Sequence, residues 1–143
     1  MELGYIPAGA EDIEALYSFN KELIEAYEDP GSVDFSEVFA WVRRKLEKCI
    51  GEYTCVTLSG EKAGYFRLFG HGGETELDDL YILPGFRGRG IGAAVVERCC
   101  AKAAGPVMLY VFSKNERAVA LYERLGFRIA ERVSETRCIM RRD

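Results

Sequence analysis

LDDLYILPGFRGRGIGAAVVERCCAK, residues 77–102, reads as a strand, a turn rich in glycine and arginine, and a helix that starts inside the turn. Gly88, Gly90 and Gly92 stand where backbone amides crowd at a helix N-terminus. The first amides of a helix have no intrahelical acceptor, and the helix dipole favours negative charge there, so such an end receives anions. Arg87 and Arg89 add cationic donors suited to phosphate. A ligand carrying a pyrophosphate is the expectation. A glycine turn with no ligand is the plainer alternative, but three glycines accompanied by two arginines are more than a turn requires.

Three phosphate motifs compete. The loop GxxxxGK[ST] is absent. The dinucleotide pattern GxGxx[GA] is met formally by Gly88, Gly90 and Ala93. It expects an acidic residue at the tip of the next strand to hold a ribose, and Val107–Phe112 runs instead into Ser113 and Lys114. The third pattern, R-x-x-G-x-G, is filled by Arg87, Gly90 and Gly92 and follows Ile82-Leu83-Pro84. It resembles the acyl-CoA loop of the GNAT acetyltransferase superfamily. Downstream, LYVFSKNERAVALYERLGF at residues 109–127 resembles the second half of the GNAT signature, with Asn115, Ala118, Leu121, Tyr122, Gly126 and Phe127 in the matching places. The two blocks together cover about a third of the chain.

A chain of 143 residues has room for one domain, expected to span 1–143. Hydrophobic content of 48% and charged content of 29% indicate a globular chain. A net charge of −4 argues against a nucleic-acid partner, and leaves the basic residues 87, 89, 114 and 117 as a local patch. No apolar run approaches membrane-spanning length, and MELGYIPAGAED has no signal-peptide layout. Five cysteines without CxxC spacing suit free thiols in a reduced, cytoplasmic setting. One histidine, His71, supports neither a zinc site nor a Ser-His-acid triad, so no metal is expected.

Glu2–Pro7 is a strand candidate. Ile13, Leu16, Tyr17, Leu23, Ile24 and Tyr27 fall on one face of a helix over residues 11–27, broken by Asp29-Pro30-Gly31-Ser32. Asp34, with Glu37 three residues on, predicts the start of a second helix that continues to Ile50. Strands are expected over 53–58, 63–69 and 74–83, with turns at 59–62 and 71–73. A helix over 91–104 stops at Gly105-Pro106, and Val107–Phe112 follows as a strand. Ser113 with Glu116 predicts a capping box for a helix to Leu125, and 127–132 with 136–140 predict a closing hairpin. The order is β-α-α-β-β-β-α-β-α-β-β. This is an α/β (α+β) fold with a mixed, mostly antiparallel sheet flanked by helices and one βαβ crossover, as in GNAT domains.

The resemblance implies acetyl-CoA as co-substrate and an N-acetyltransferase that moves an acetyl group to a primary amine by direct attack. It puts the pantetheine arm along the backbone of Leu80, Tyr81 and Ile82. The pyrophosphate falls on Arg87, Gly88, Arg89, Gly90, Ile91, Gly92 and Ala93, with Asn115 and Arg117 nearby. An amide near Leu80 or Ile82 would then face the thioester oxygen. Asp78 and Asp79 match the Glu-Asp pair of spermidine/spermine acetyltransferases and are the candidate bases, with Glu76 close behind. Adjacent strand residues face opposite sides, so at most one of the pair points straight into the site, and one or both are otherwise solvated charges at a sheet end. Tyr122 is the candidate acid for the leaving thiolate, or else a core aromatic of the stripe Ala118, Leu121, Tyr122, Leu125. Asn115 either bonds the pantetheine arm or starts the helix. Tyr27, Glu28 and Asp29, beside Asp34 and Phe35, suit a cationic amine, or else form only a polar turn. A non-catalytic CoA-binding sensor or interaction module stays open as the second function class, and a homodimer stays open as an assembly.

Overall fold

The computed structural model describes residues 1–143. Its elements are β1 (Leu3–Pro7), α1 (Ile13–Tyr27), α2 (Phe35–Cys49), β2 (Tyr53–Leu58), β3 (Glu61–His71), β4 (Glu74–Ile82), α3 (Ile91–Lys102), β5 (Val107–Phe112), α4 (Glu116–Arg124), β6 (Arg128–Arg132) and β7 (Arg137–Arg142), with short 3-10 turns at 10–12, 50–52 and 84–86. The seven strands form one mixed sheet in the order β1-β2-β3-β4-β5-β7-β6. β4 and β5 are parallel, as a crossover through α3 demands, whereas β1–β2, β2–β3, β5–β7 and β6–β7 are antiparallel. The predicted element order is the observed one. No helix is long and apolar enough to cross a membrane.

The chain divides into two compact units, each described by itself. The first comprises Met1–Arg67 and Asp79–Phe86. Its core holds Leu16 and Ile24 of α1, Val42 and Leu46 of α2, and Tyr53, Cys55, Val56, Ala63, Tyr65 and Phe66 of β2 and β3. α1 starts at Ile13 rather than Glu11, because the Asp12 carboxylate turns back to accept the Gly9 N–H at 2.9 Å and tightens the first turn. Asp34 caps α2 as expected, accepting the Glu37 N–H at 3.3 Å. Arg43 of α2 ties the two helices by pairing with Glu14 and lying 4.1 Å over the Tyr17 ring. The β2–β3 hairpin is tighter than the spacing predicts. Leu58 pairs with Glu61, so only Ser59 and Gly60 turn, both at positive φ (50° and 85°) as a type I′ hairpin requires.

The second unit comprises Leu68–Asp78 and Arg87–Asp143. β5 is a continuous apolar run, VMLYVF, paired along its whole length with β7. Ile91, Val95, Val96 and Cys99 are the buried face of α3. α3 ends at Lys102, two residues before the predicted limit, because Ala103 is already extended (ψ 138°) ahead of Gly105-Pro106. α4 is capped by Asn115, whose Oδ1 accepts the Ala118 N–H at 3.3 Å, not by the predicted Ser113. Its far end closes with paired bonds, Gly126 N–H to Glu123 at 3.1 Å and Phe127 N–H to Tyr122 at 3.0 Å. Gly126 stands at φ 90°, so the glycine of the Leu-Tyr-x-x-x-Gly-Phe pattern is a helix terminator. β6 is an edge strand with all five residues exposed.

Candidate functional site

The phosphate loop is built from backbone conformation. Phe86 N–H closes a turn on the Leu83 carbonyl at 2.9 Å, and Arg87 to Gly90 then run exposed into α3. Gly88 and Gly90 stand at φ 75° and 78°, where a side chain is strained. Gly90 is the N-cap of α3 and offers the first turn no side-chain acceptor. The start of this 12-residue helix is pinned by Ile91, 1% exposed. A Cβ placed at Gly88 or Gly90 meets no protein atom within 4 Å, so their φ, not internal crowding, demands glycine, and the outer face has room for a ligand. The N-terminal amides of α3 beside Arg87 and Arg89 are the kind of donors that can receive a phosphate group.

On α4, Asn115 spends its side-chain oxygen on the helix cap, and Arg117 lies exposed on the first turn. Tyr122 is buried, with the Phe127 ring edge-on at 5.6 Å. Burial, and less so the neighbouring Cys99 thiol, pushes the Tyr122 hydroxyl well above its ordinary value. The Cys99 thiol is itself pushed up to about 12, chiefly by burial, and is inert as a nucleophile.

The parallel ladder of β4 and β5 holds Thr75 to Val107 and Glu76 to Met108. Glu76 takes the ring Nε2 of His71 at 3.1 Å, and Asp78 is half-buried. Asp79 does not follow strand geometry. Its φ is 51°, a left-handed conformation that is uncommon within a strand, although Asp and Asn visit it more often than other residues with a side chain. The expected simple alternation of Asp78 and Asp79 across the strand is therefore interrupted. The Asp79 Oδ2 accepts the Tyr53 hydroxyl at 2.6 Å and faces the Lys45 ammonium at 3.4 Å. Beyond it, the Tyr81 ring stacks on Phe19 at 4.3 Å and lies 6.5 Å from Tyr65. Sequence reasoning missed Lys45 and Tyr53, which lie 34 and 26 residues from Asp79 and belong to no motif.

The α1–α2 connection is a self-closed turn. Asp29 Oδ1 accepts the Gly31 N–H at 2.9 Å and Oδ2 the Ser32 hydroxyl at 2.8 Å, and these bonds, the first above all, hold its carboxyl below the usual value. Tyr27 and Glu28 are half-buried at the end of α1. No group of three His, Cys, Asp or Glu side chains could hold a metal ion.

A family model described as acetyltransferase (GNAT) family matches residues 13–127. The chain belongs to that family. An uncharacterized N-acetyltransferase of Mycobacterium tuberculosis strain H37Rv is 40% identical over 75 residues, 49% of this chain and 48% of the relative. The peptidyl-lysine N-acetyltransferase YjaB of Salmonella typhimurium is 31% identical over 97 residues, 63% of each chain. The matches thus span about half to two thirds of these relatives' length. In fold, the chain is similar to the PaiA N-acetyltransferase of Thermoplasma acidophilum in complex with coenzyme A, with a TM-score of 0.72 at 20% identity over 100% of this chain and 99% of that one.

Proposed function

We propose that this protein transfers an acetyl group from acetyl-CoA to a primary amine of a small molecule or peptide. The observation that carries the reading is the Arg87–Gly92 loop, in which left-handed Gly88 and Gly90 alternate with Arg87 and Arg89 and lead into α3, in a chain of the GNAT family. In this reading the amides of Ile91, Gly92 and Ala93, with Arg87 and Arg89, bind the pyrophosphate, and Leu80 to Ile82 offer backbone groups to the pantetheine arm. Asp78 takes the proton that the attacking ammonium must lose. Tyr122 donates a hydrogen bond or a proton to the leaving sulfur through its phenol hydroxyl. Arg117 lies in reach of solvent at the start of α4 and adds to the basic surface for the anion. The amine is expected at Tyr27 and Glu28; Asp29 serves its own turn and contributes negative charge.

The test has two arms. Acetyl-CoA and CoA should raise the melting temperature by mass action on the native state, with NAD and ATP far weaker at equal concentration. A panel of spermidine, glucosamine, amino acids and a lysine-containing peptide, incubated with acetyl-CoA, should release free thiol with at least one acceptor. An NAD shift equal to that of CoA overturns the cofactor assignment. CoA binding without turnover makes the chain a CoA-binding module.

A further inference from the structure

Asp79 stands at φ 51° within β4, while the two-residue turns 59–60 and 72–73 and the loop glycines 88 and 90 hold the other non-helical left-handed conformations before Gly126. A left-handed residue within a strand needs an external reason to persist, and such outliers gather at functional positions. Two side chains supply that reason. The Tyr53 ring is 1% exposed at the start of β2, and its hydroxyl reaches Asp79 Oδ2 at 2.6 Å, the length of a charge-assisted bond. Lys45 of α2 brings its ammonium to the same oxygen at 3.4 Å, with side-chain exposures of only 18% for Lys45 and 10% for Asp79. Its approach is guided by the Trp41 ring one turn earlier, 5.8 Å away. One oxygen of Asp79 is thus committed to two donors of its own unit.

The kink has a consequence for the backbone. In a regular strand successive N–H groups point to opposite edges. At a left-handed residue they turn toward one side and can converge on an acceptor. The peptide after Asp79 carries the N–H of Leu80, the group that the proposed function assigns to the thioester oxygen. We propose that Tyr53 and Lys45 are positioning residues, which clamp Asp79 in its left-handed conformation and so aim the Leu80 N–H at the thioester carbonyl. The inference rests on the proposed acetyl transfer, and it gives Asp79 a conformational role while the proton goes to Asp78. A glycine at position 79 would adopt the same φ without a clamp.

The experiment uses the most responsive amine of the panel with acetyl-CoA, and compares Tyr53→Phe, Lys45→Met, Lys45→Arg, Asp79→Gly and Tyr53→Phe combined with Asp79→Gly. Loss of the clamp should lower kcat about tenfold in Tyr53→Phe and Lys45→Met, with KM for acetyl-CoA within about twofold, because an aligned oxyanion donor acts in the transition state. Lys45→Arg should recover most of the loss. Asp79→Gly should keep the pH–rate limb of the parent, and adding Tyr53→Phe to it should lower kcat no further. Parental kcat in Tyr53→Phe overturns the proposal. So does disappearance of the pH–rate limb in Asp79→Gly with a loss of about 100-fold or more, which would make Asp79 the base. A parent that binds CoA but acetylates no amine overturns the reaction itself and the inference with it, whereas an active parent with indifferent variants overturns the inference alone.

Discussion

Two aspartates of the same unit are held in nearly the same way. Asp12 accepts the Tyr65 hydroxyl at 2.6 Å and the Lys62 ammonium at 2.8 Å; Asp79 accepts the Tyr53 hydroxyl at 2.6 Å and faces Lys45 at 3.4 Å. The backbones beneath them differ. Asp12 stands at φ −94° and also accepts the Gly9 N–H, so its cluster anchors the start of α1 in a relaxed conformation. Asp79 stands at φ 51°, so its cluster holds a strand away from its preferred geometry. The same three groups serve stability in one place and restrain a strained peptide in the other. The difference lies in where the energy goes, and variants should separate the two.

The largest expected effect is on stability, at Asp12. The residue is 2% exposed, and Asp12→Ala strands the buried Tyr65 hydroxyl and the Gly9 amide at a cost of about 3 kcal/mol. Urea unfolding measures it, and turnover per folded molecule should stay at the parental value. A loss as small as that of a surface substitution would erase the contrast with Asp79. Gly90→Val comes next, and tests a left-handed position that has no clamp at all. The strain of a β-branched residue at φ 78° should lower CoA affinity on the order of 100-fold by calorimetry. Gly90→Asn, which tolerates this conformation, should lose far less. Equal affinity in Gly90→Val would reduce the loop to a turn.

Arg87→Ala should weaken CoA binding about tenfold, and by less at high salt, since a charge-assisted contact at an exposed site is screened. An unchanged Kd at low salt would remove Arg87 from the phosphate site. The smallest effect is a pH dependence. Burial alone would raise the Asp12 carboxyl, but the bonds from Lys62, Tyr65 and Gly9 outweigh it and hold it below its ordinary 3.8. A depressed carboxyl contributes stability above its unfolded value and loses it as pH falls through the folded one. Asp12→Asn should therefore melt lower than the parent at neutral pH, with the gap closing below about pH 4. A gap that persists unchanged into that range would show that charge plays no part in the Asp12 cluster.

Much of the fold was legible because its signals are local. The alternation and apolar runs of β2 and β5 located both strands to the residue, and Asp34 with Glu37 marked the start of α2. Ends moved where a side chain from elsewhere, or a neighbour in the chain, competed for the same backbone group. Asp12 shortened α1 by capping Gly9, and Asn115 displaced Ser113 at α4. The candidate site divides along the same line. Gly88 and Gly90 were legible because only glycine occupies their φ freely, so the residue type itself announces the conformation.

By itself, then, the sequence determined the order of elements, the glycine-arginine loop at the head of α3 and the family signature through Phe127. Each of these is written in neighbouring residues, whose propensities and spacing act over a turn or two. Only the tertiary structure decided that Asp79 is left-handed, that Tyr53 and Lys45 hold it, and that Asp12 is buried with Lys62 and Tyr65. An aspartate in a strand carries no mark of its φ. That angle is set by hydrogen bonds from residues dozens of positions away, which exist only once the sheet and α2 have packed.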